Sequence, residues 1–423
     1  MKIKIRKSRV NGEITIPGSK SHSIRAVAVA ALANGRSVIK APLISEDTLS
    51  CLAAAEAFGA GVEKQNGLWT IRGFNGKPVN PGRTIDMGNS GTSLRIFTGL
   101  AATAGFKVSF DGDASLRTRP MKQLLDALSQ LGVKTESNNG KCPVSVCGPI
   151  KGGSAEVNGQ SSQFLSSLLF ASPLALSDTE LKVFNLNEKP YVEITLDWLK
   201  KQEIQFEHAE DLSWFRIKSG QSYKAFESTI PADFSTATFP LVAAALTGGR
   251  VNIRNLDFND RQGDKEVFSY LEKMGAKIEK NSQWTTVTAA NPLAGMELDL
   301  NSTPDALPAM AVTASLSKGI TKLFNVPQAR IKETDRIDCM TKELRKMGAE
   351  ITELPDGMII KGGSLKGAEL ESYKDHRIVM SLAIAGLCAD GETIINDAEA
   401  AAVTYPDFIN DFKKLGADIE ILN

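Results

Sequence analysis

Residues 343–352 read ELRKMGAEIT: the end of an amphipathic helix, a glycine, and the start of an alternating strand. The chain just past a helix often needs positive φ, which glycine adopts without a Cβ penalty, so Gly348 marks the stop. The same reading recurs in AEAFGAGVE (55–63), ALSQLGVKTE (127–136), WLKKQEIQFE (198–207), YLEKMGAKIE (270–279) and DFKKLGADIE (411–420). The turn residues Gly59, Gly132, Glu203, Gly275, Gly348 and Gly416 are spaced 73, 71, 72, 73 and 68 apart. Glu203 makes the third copy the weakest.

A second marker runs beside the first. Ala-rich segments reach a turn and enter a strand in ALANGRSVI, AATAGFKVS, LALSDTELK, ALTGGRVNI, SLSKGITKL and LCADGETII. Their turn residues Gly35, Gly105, Asp178, Gly249, Gly319 and Gly391 are spaced 70, 73, 71, 70 and 72 apart. Two markers with one period predict a repeated unit. Each unit holds an apolar helix, a strand, an amphipathic helix and one or two further strands. Segments such as VAVAALA are apolar nearly all round and are expected to be buried, with the amphipathic helices covering them.

The 423 residues suit two domains, so six units divide into three per domain. Proline-containing crossings are expected near Pro17-Gly18 and near Pro231. The composition, 42% hydrophobic and 23% charged, is that of a globular protein. Lys plus Arg balances Asp plus Glu at 49 each, which argues against a general nucleic-acid binder and leaves anion affinity to local clustering. The five cysteines form neither a zinc pattern nor a disulfide framework, and three histidines further weaken a metal site. No apolar run approaches a membrane span, and the first residues do not read as a signal peptide, so a cytoplasmic location is expected.

Helix N-termini carry partial positive charge and disfavour Lys and Arg. This chain places cations there repeatedly. PGSKSHSIRAV opens a helix with Lys20 and Arg25, with Ser21 sharing a face with Arg25. RTRPMKQLLDAL sets Arg119 before Pro120, a residue favoured at the first helical position. RIKETDRIDCM brings Lys332 and Arg336 around a helix start with Glu333, and YKDHRIVMSLA begins another with His376 and Arg377. Local rules broken in this way tend to mark function, and cations at helix starts make anion sites. GNSGTSLRIF adds Asn89 and Gly91, whose missing side chain lets a ligand approach the backbone, and GQSSQFLSSLLF adds Ser161, Ser162 and Gln163. Asp305, in TPDALPAMAV, and Glu333 are the acids placed to serve as general base and general acid.

These motifs together resemble the enolpyruvyl transferases. The resemblance covers nearly the whole chain through PGSKSHSIRA, GNSGTSLR, RTRPM, SSQFL, KPYVEITL, ADFSTA, TPDALPAM, RIKETDR, DHRIVM and TYPDF. It implies an α/β fold of two similar domains, each with three βαβαββ repeats around buried helices, an inside-out barrel. One domain would comprise 1–17 plus 228–423 and the other 18–227, with the active site in the cleft between them. Within the family, PGSKSHSIR is similar to members acting on shikimate 3-phosphate and phosphoenolpyruvate (PEP) in chorismate and aromatic amino acid biosynthesis. That implies a monomeric transferase without cofactor, metal, nucleic-acid or membrane partner. Shikimate 3-phosphate would be held by Lys20, Ser21, Arg25, Ser161, Ser162, Gln163, Asp305, Gln328 and Lys332. PEP would be held by Lys20, Asn89, Gly91, Arg119, Gln163, Arg336, His376 and Arg377. Asp305 would take the hydroxyl proton, and Glu333 or Lys20 would move the methyl proton. A carboxyl among cations has a lowered pKa, so Glu333 could act as an acid only when bound anions restore it.

Three positions depart from the pattern. Val403 stands where some members carry a PEP-binding Lys, Gln328 where some have Asn, and Glu188 where some have a Ser contact. Members acting on UDP-N-acetylglucosamine commonly carry a cleft-loop cysteine, which DGDASLRTRPM lacks. A non-catalytic anion-binding relative is the reading from another class, with Val403 its only hint.

Overall fold

A computed structural model describes every residue except 66, 282, 289–291 and 423. Residues 343–352 lie in a repeat of four strands and two helices. Strand Glu297–Asp299 leads through helix Leu307–Leu316 to strand Ile320–Phe324, then through helix Arg336–Lys346 to the hairpin Glu350–Leu354 and Gly357–Lys361. The strands lie in the order first, second, fourth, third; the first pair is parallel and the other pairs antiparallel. A parallel pair needs a crossover, and the apolar helix supplies it.

Among the described residues the strands make six such four-stranded sheets. Contacts divide the chain into two compact units, residues 1–17 with 232–423, and residues 18–231. Three sheets are completed by strands from elsewhere in the chain. In the first unit, Lys2–Arg6 lies between Glu392–Asn396 and Asp418–Leu422, and Asn11–Thr15 pairs in parallel with Arg250–Arg254. In the second unit, Glu227–Thr229 pairs in parallel with Arg36–Lys40. A crossing at 228 would cut that strand, so the chain leaves the second unit after Pro231 instead.

Each unit has its own hydrophobic core built on three apolar helices. They are Phe234–Thr247, Leu307–Leu316 and His376–Cys388 in the first unit, and Lys20–Leu32, Gly91–Ala101 and Ser162–Ala171 in the second. They are buried along nearly their whole length, as sequences apolar all round should be. In the second unit two of them approach closely at Gly99, where a Cβ would lie 2.4 Å from Ser167 Oγ. The second helix of each repeat is amphipathic; Arg336–Lys346 buries Ile337, Met340 and Leu344 on one face. Among the described residues, no helix is long and apolar enough to cross a membrane.

The first marker is one conformation in all six copies. The five glycines have φ between 83° and 109°, and Glu203 adopts φ 58° in the same place. The second marker is less uniform. Gly35, Gly319 and Gly391 are left-handed, but in the fourth copy Gly248 takes that role. Gly249 is required there by a close approach, since a Cβ would lie 1.8 Å from Val10 O.

At Gly348 nothing lies within 4 Å of the position a Cβ would take, so substitution there tests the conformation alone. Gly348→Ala is expected to cost about 1 kcal/mol, seen as a lower urea midpoint, and Gly348→Asn about half of that, because Asn tolerates the left-handed region. Equal stability of the Ala variant and the parent would show that the glycine does not set this turn.

Candidate active site

In the second unit three helix starts carry the residues expected to hold anions. Lys20 is the first residue of its helix, and the Ser19 hydroxyl accepts the His22 N–H. Lys20 Nζ lies 3.1 Å from the carboxylate of buried Asp47. Arg25 is 1% exposed and ties elements together: Nη1 donates to Ser21 O at 3.1 Å, Nε to Thr195 Oγ1 at 2.9 Å and Nη2 to Tyr191 O at 2.9 Å. Burial pulls its pKa down to about 10, against the opposing influence of Tyr191 and Glu188.

At the second start Ser90 caps the helix that Gly91 begins, accepting the Ser93 N–H. Two guanidinium groups converge over Gly91. A Cβ there would lie 3.0 Å from Arg119 Nη1 and 3.2 Å from Arg95 Nη1. Arg119 Nη2 donates to Asn89 Oδ1 at 2.5 Å, and Asn89 Nδ2 donates to Asp113 at 2.6 Å. Arg119 is not at the start of its own helix, as the proline had suggested. It ends the 3-10 turn Leu116–Thr118, and the helix begins only at Lys122. Its side chain serves the Gly91 start instead.

At the third start the Ser161 hydroxyl accepts the Gln163 N–H at 3.4 Å. Gln163 Oε1 accepts from Arg95 Nη1 at 2.5 Å, linking this start to the second. Ser162 directs its N–H and its hydroxyl at one oxygen of buried Glu188, at 3.3 and 2.7 Å.

The first unit gathers its residues around one guanidinium. Arg336 opens its helix and is 1% exposed. Its Nη1 lies 2.8 Å from Asp305 Oδ1, its Nη2 2.7 Å from Glu333 Oε2, and its Nε 2.8 Å from Asp375 Oδ2. Burial opposes the charge, yet the three carboxylates raise the Arg336 pKa further above its ordinary value. Asp375 is also fully buried, which disfavours ionisation, but Arg336 outweighs this and holds its carboxyl below the usual range. Asp375 caps the next helix through the Arg377 N–H, and Arg377 Nη2 reaches Asp305 Oδ2 at 2.8 Å. His376, the first residue of that helix, is buried beside Asp375. Lys332 follows the 3-10 turn Pro327–Ile331, within which buried Gln328 donates to Asn301 O. Val403 ends the 3-10 turn Ala398–Val403 and is half-buried.

Four residues outside the sequence reading join these clusters: Asp47, Arg95, Asp264 and Asp375. Arg95 had a signal, since it lies four residues after Gly91 and therefore on the same helix face. Asp264 had none. It is buried, accepts from the Ser235 hydroxyl, and is pushed up to about 7 by burial and then by the charge of Asp305, with Arg377 opposing.

The sign of that shift gives a test. Asp264 rises from an ordinary 3.8 to about 7, so its ionisation costs folded-state stability, and the cost grows with pH across that window. Asp264→Asn removes the cost. The melting temperature of the variant relative to the parent is expected to climb from about pH 4 and level off above about pH 7. A difference that stays flat with pH would refute the assignment.

Comparison with known proteins gives one family over nearly the whole chain. Residues 5–412 match the family model described as EPSP synthase (3-phosphoshikimate 1-carboxyvinyltransferase). A 3-phosphoshikimate 1-carboxyvinyltransferase of Acetivibrio thermocellus is 51% identical over 99% of both chains. One of Ruminiclostridium cellulolyticum is 47% identical over the whole of both chains. An EPSP synthase structure from Acinetobacter baumannii aligns over all of both chains with a TM-score of 0.84 and 29% identity. The chain belongs to the EPSP synthase family.

Proposed function

We propose that this chain transfers the enolpyruvyl group of PEP to the 5-hydroxyl of shikimate 3-phosphate and releases phosphate. The observation that carries the reading is the Arg336 guanidinium, which holds Asp305 on one terminal nitrogen and Glu333 on the other. The reaction needs one group to accept the hydroxyl proton and one to move a proton at the methylene carbon, and here a single rigid cation orients both candidates.

The chemistry runs in two stages. Protonation of PEP at C3 and loss of the 5-hydroxyl proton join the oxygen to C2 as a tetrahedral intermediate. Loss of a C3 proton and of phosphate from C2 then restores the double bond. Asp305 takes the hydroxyl proton, and Glu333 serves C3, with Lys20 as partner or rival. Arg336 and Arg377 already hold carboxylates, so an incoming anion competes for the same nitrogens. That competition weakens the hold on Asp305 and Glu333 and raises their proton affinity when substrate is present. Gly91, Arg119, Gln163, Asn89, Arg336, His376 and Arg377 serve PEP. Ser21, Arg25, Ser161, Ser162, Gln163, Gln328 and Lys332 serve shikimate 3-phosphate, Arg25 from beneath the surface. Lys20 serves both. Electrostatic stabilisation by these groups is the main contribution to rate. The reading has the chain working as a cytoplasmic monomer; every residue it invokes lies on one chain, so it calls on no second copy. The UDP-N-acetylglucosamine reading gains no support from the relatives named above.

Phosphate release from PEP is expected only when shikimate 3-phosphate is also supplied; release without it would overturn the reading. Asp305→Ala is expected to lower kcat by about 10²- to 10⁴-fold, and near-normal turnover would remove it from the role of base. Gly91→Ala places a methyl 3.0 Å from Arg119 Nη1. It is expected to raise KM for PEP about tenfold, roughly 1.4 kcal/mol, with a smaller effect on KM for shikimate 3-phosphate. An equal rise in both constants would show that PEP does not lie against Gly91.

A further inference from the structure

The start of the Ser162–Ala171 helix already holds an anion, and that anion belongs to the protein. The Glu188 carboxylate is 1% exposed and accepts both the Ser162 N–H at 3.3 Å and the Ser162 hydroxyl at 2.7 Å through the same oxygen. Glu188 reaches this seat from a left-handed backbone, φ 57°, as the cap residue of helix Lys189–Lys201. Nearby Arg25 holds that helix through Tyr191 O and Thr195 Oγ1 and feels the charge of Glu188.

A backbone N–H and a hydroxyl each donate one hydrogen bond. Both donors of Ser162 are therefore committed to Glu188, and a phosphate at this helix start would need the same two. Two anions on one helix start also repel strongly where water is excluded. We propose that Glu188 is a built-in occupant of this anion seat, and that the phosphate of shikimate 3-phosphate binds by displacing it. Glu188 is thus an affinity-setting residue. It makes no contact with the reacting carbons and acts on the phosphate's access to Ser162. This rests on the assignment of Ser161, Ser162 and Gln163 to that substrate.

The test compares Glu188→Gln and Glu188→Ser with the parent. The Gln side chain keeps an acceptor for both Ser162 donors while removing the charge, so the local fold is retained; melting curves check this, and the Ser variant gives a second reading with a smaller side chain. Both variants are expected to lower KM for shikimate 3-phosphate about tenfold, to leave kcat within about twofold, and to leave KM for PEP unchanged. A purely structural cap would move stability without this split between KM and kcat. Calorimetric titration with inorganic phosphate alone gives an arm independent of turnover, and the Gln variant is expected to bind it about ten times more tightly than the parent. If folded variants bind phosphate no more tightly and show the same or a higher KM for shikimate 3-phosphate, the proposal is wrong. A parent enzyme that does not consume PEP with shikimate 3-phosphate would sink the enolpyruvyl reading instead, and the phosphate titration would still decide the role of Glu188.

Discussion

A guanidinium removed from water needs its charge and its N–H groups compensated, and in the first unit carboxylates supply this for Arg336 at the starts of three helices. Arg336 is the first residue of its own helix, Asp305 lies in the turn leading into Leu307–Leu316, and Asp375 caps His376–Cys388. A buried charge with one partner missing is costly, so these three starts are held in one arrangement by the ion cluster as well as by the apolar core beneath them. Asp305 is fixed further by Arg377, which its helix start presents alongside. The same bonds that stabilise the fold thus set the orientation of the groups read as base and acid.

The two units solve the helix-start problem differently. In the second unit the three apolar helices are capped by serines, Ser19, Ser90 and Ser161, which bring no charge. In the first unit Asp233 and Asp375 cap two of the starts and Asp305 lies just before the third. Carboxylates neutralise the partial positive charge of a helix start, whereas serines leave it available. The second unit is accordingly the one whose bare geometry suits an anion, and the first holds its cations in exchange with its own acids. Glu188 is the exception in the second unit, a carboxylate on a start that is otherwise left neutral.

The repeat was legible because one local event, a helix stopped by a left-handed residue, recurs with one period. It held even at Glu203, where a non-glycine side chain takes the same conformation. Cations at helix starts were legible for Lys20, Arg336, His376 and Arg377, whose caps are neighbours in sequence. Arg119 was placed wrongly because its role is tertiary: it reaches back to Asn89 and Gly91. Asp47 and Asp264 escaped for the same reason, since an acid in a helical stretch reads as solvated until its partner is known. Pro231 marked the second crossing, but the implied boundary at 228 falls inside Glu227–Thr229, because three-residue strands carry too little pattern to be seen.

The strand Lys2–Arg6 has a consequence for the order in which the molecule is made. It leaves the ribosome long before its two neighbours, Glu392–Asn396 and Asp418–Leu422. Asn11–Thr15 likewise waits for Arg250–Arg254. The second unit, contiguous from 18 to 231, is fully synthesised before either of these pairings has its partner. During translation the nascent chain therefore carries the strand KIKIR with its edges unpaired and Ile3 and Ile5 uncovered, while the second unit is made downstream of it. The sixth repeat closes only when Lys2–Arg6 meets Glu392–Asn396 and Asp418–Leu422, so the first unit is sealed only after the second has been made in full.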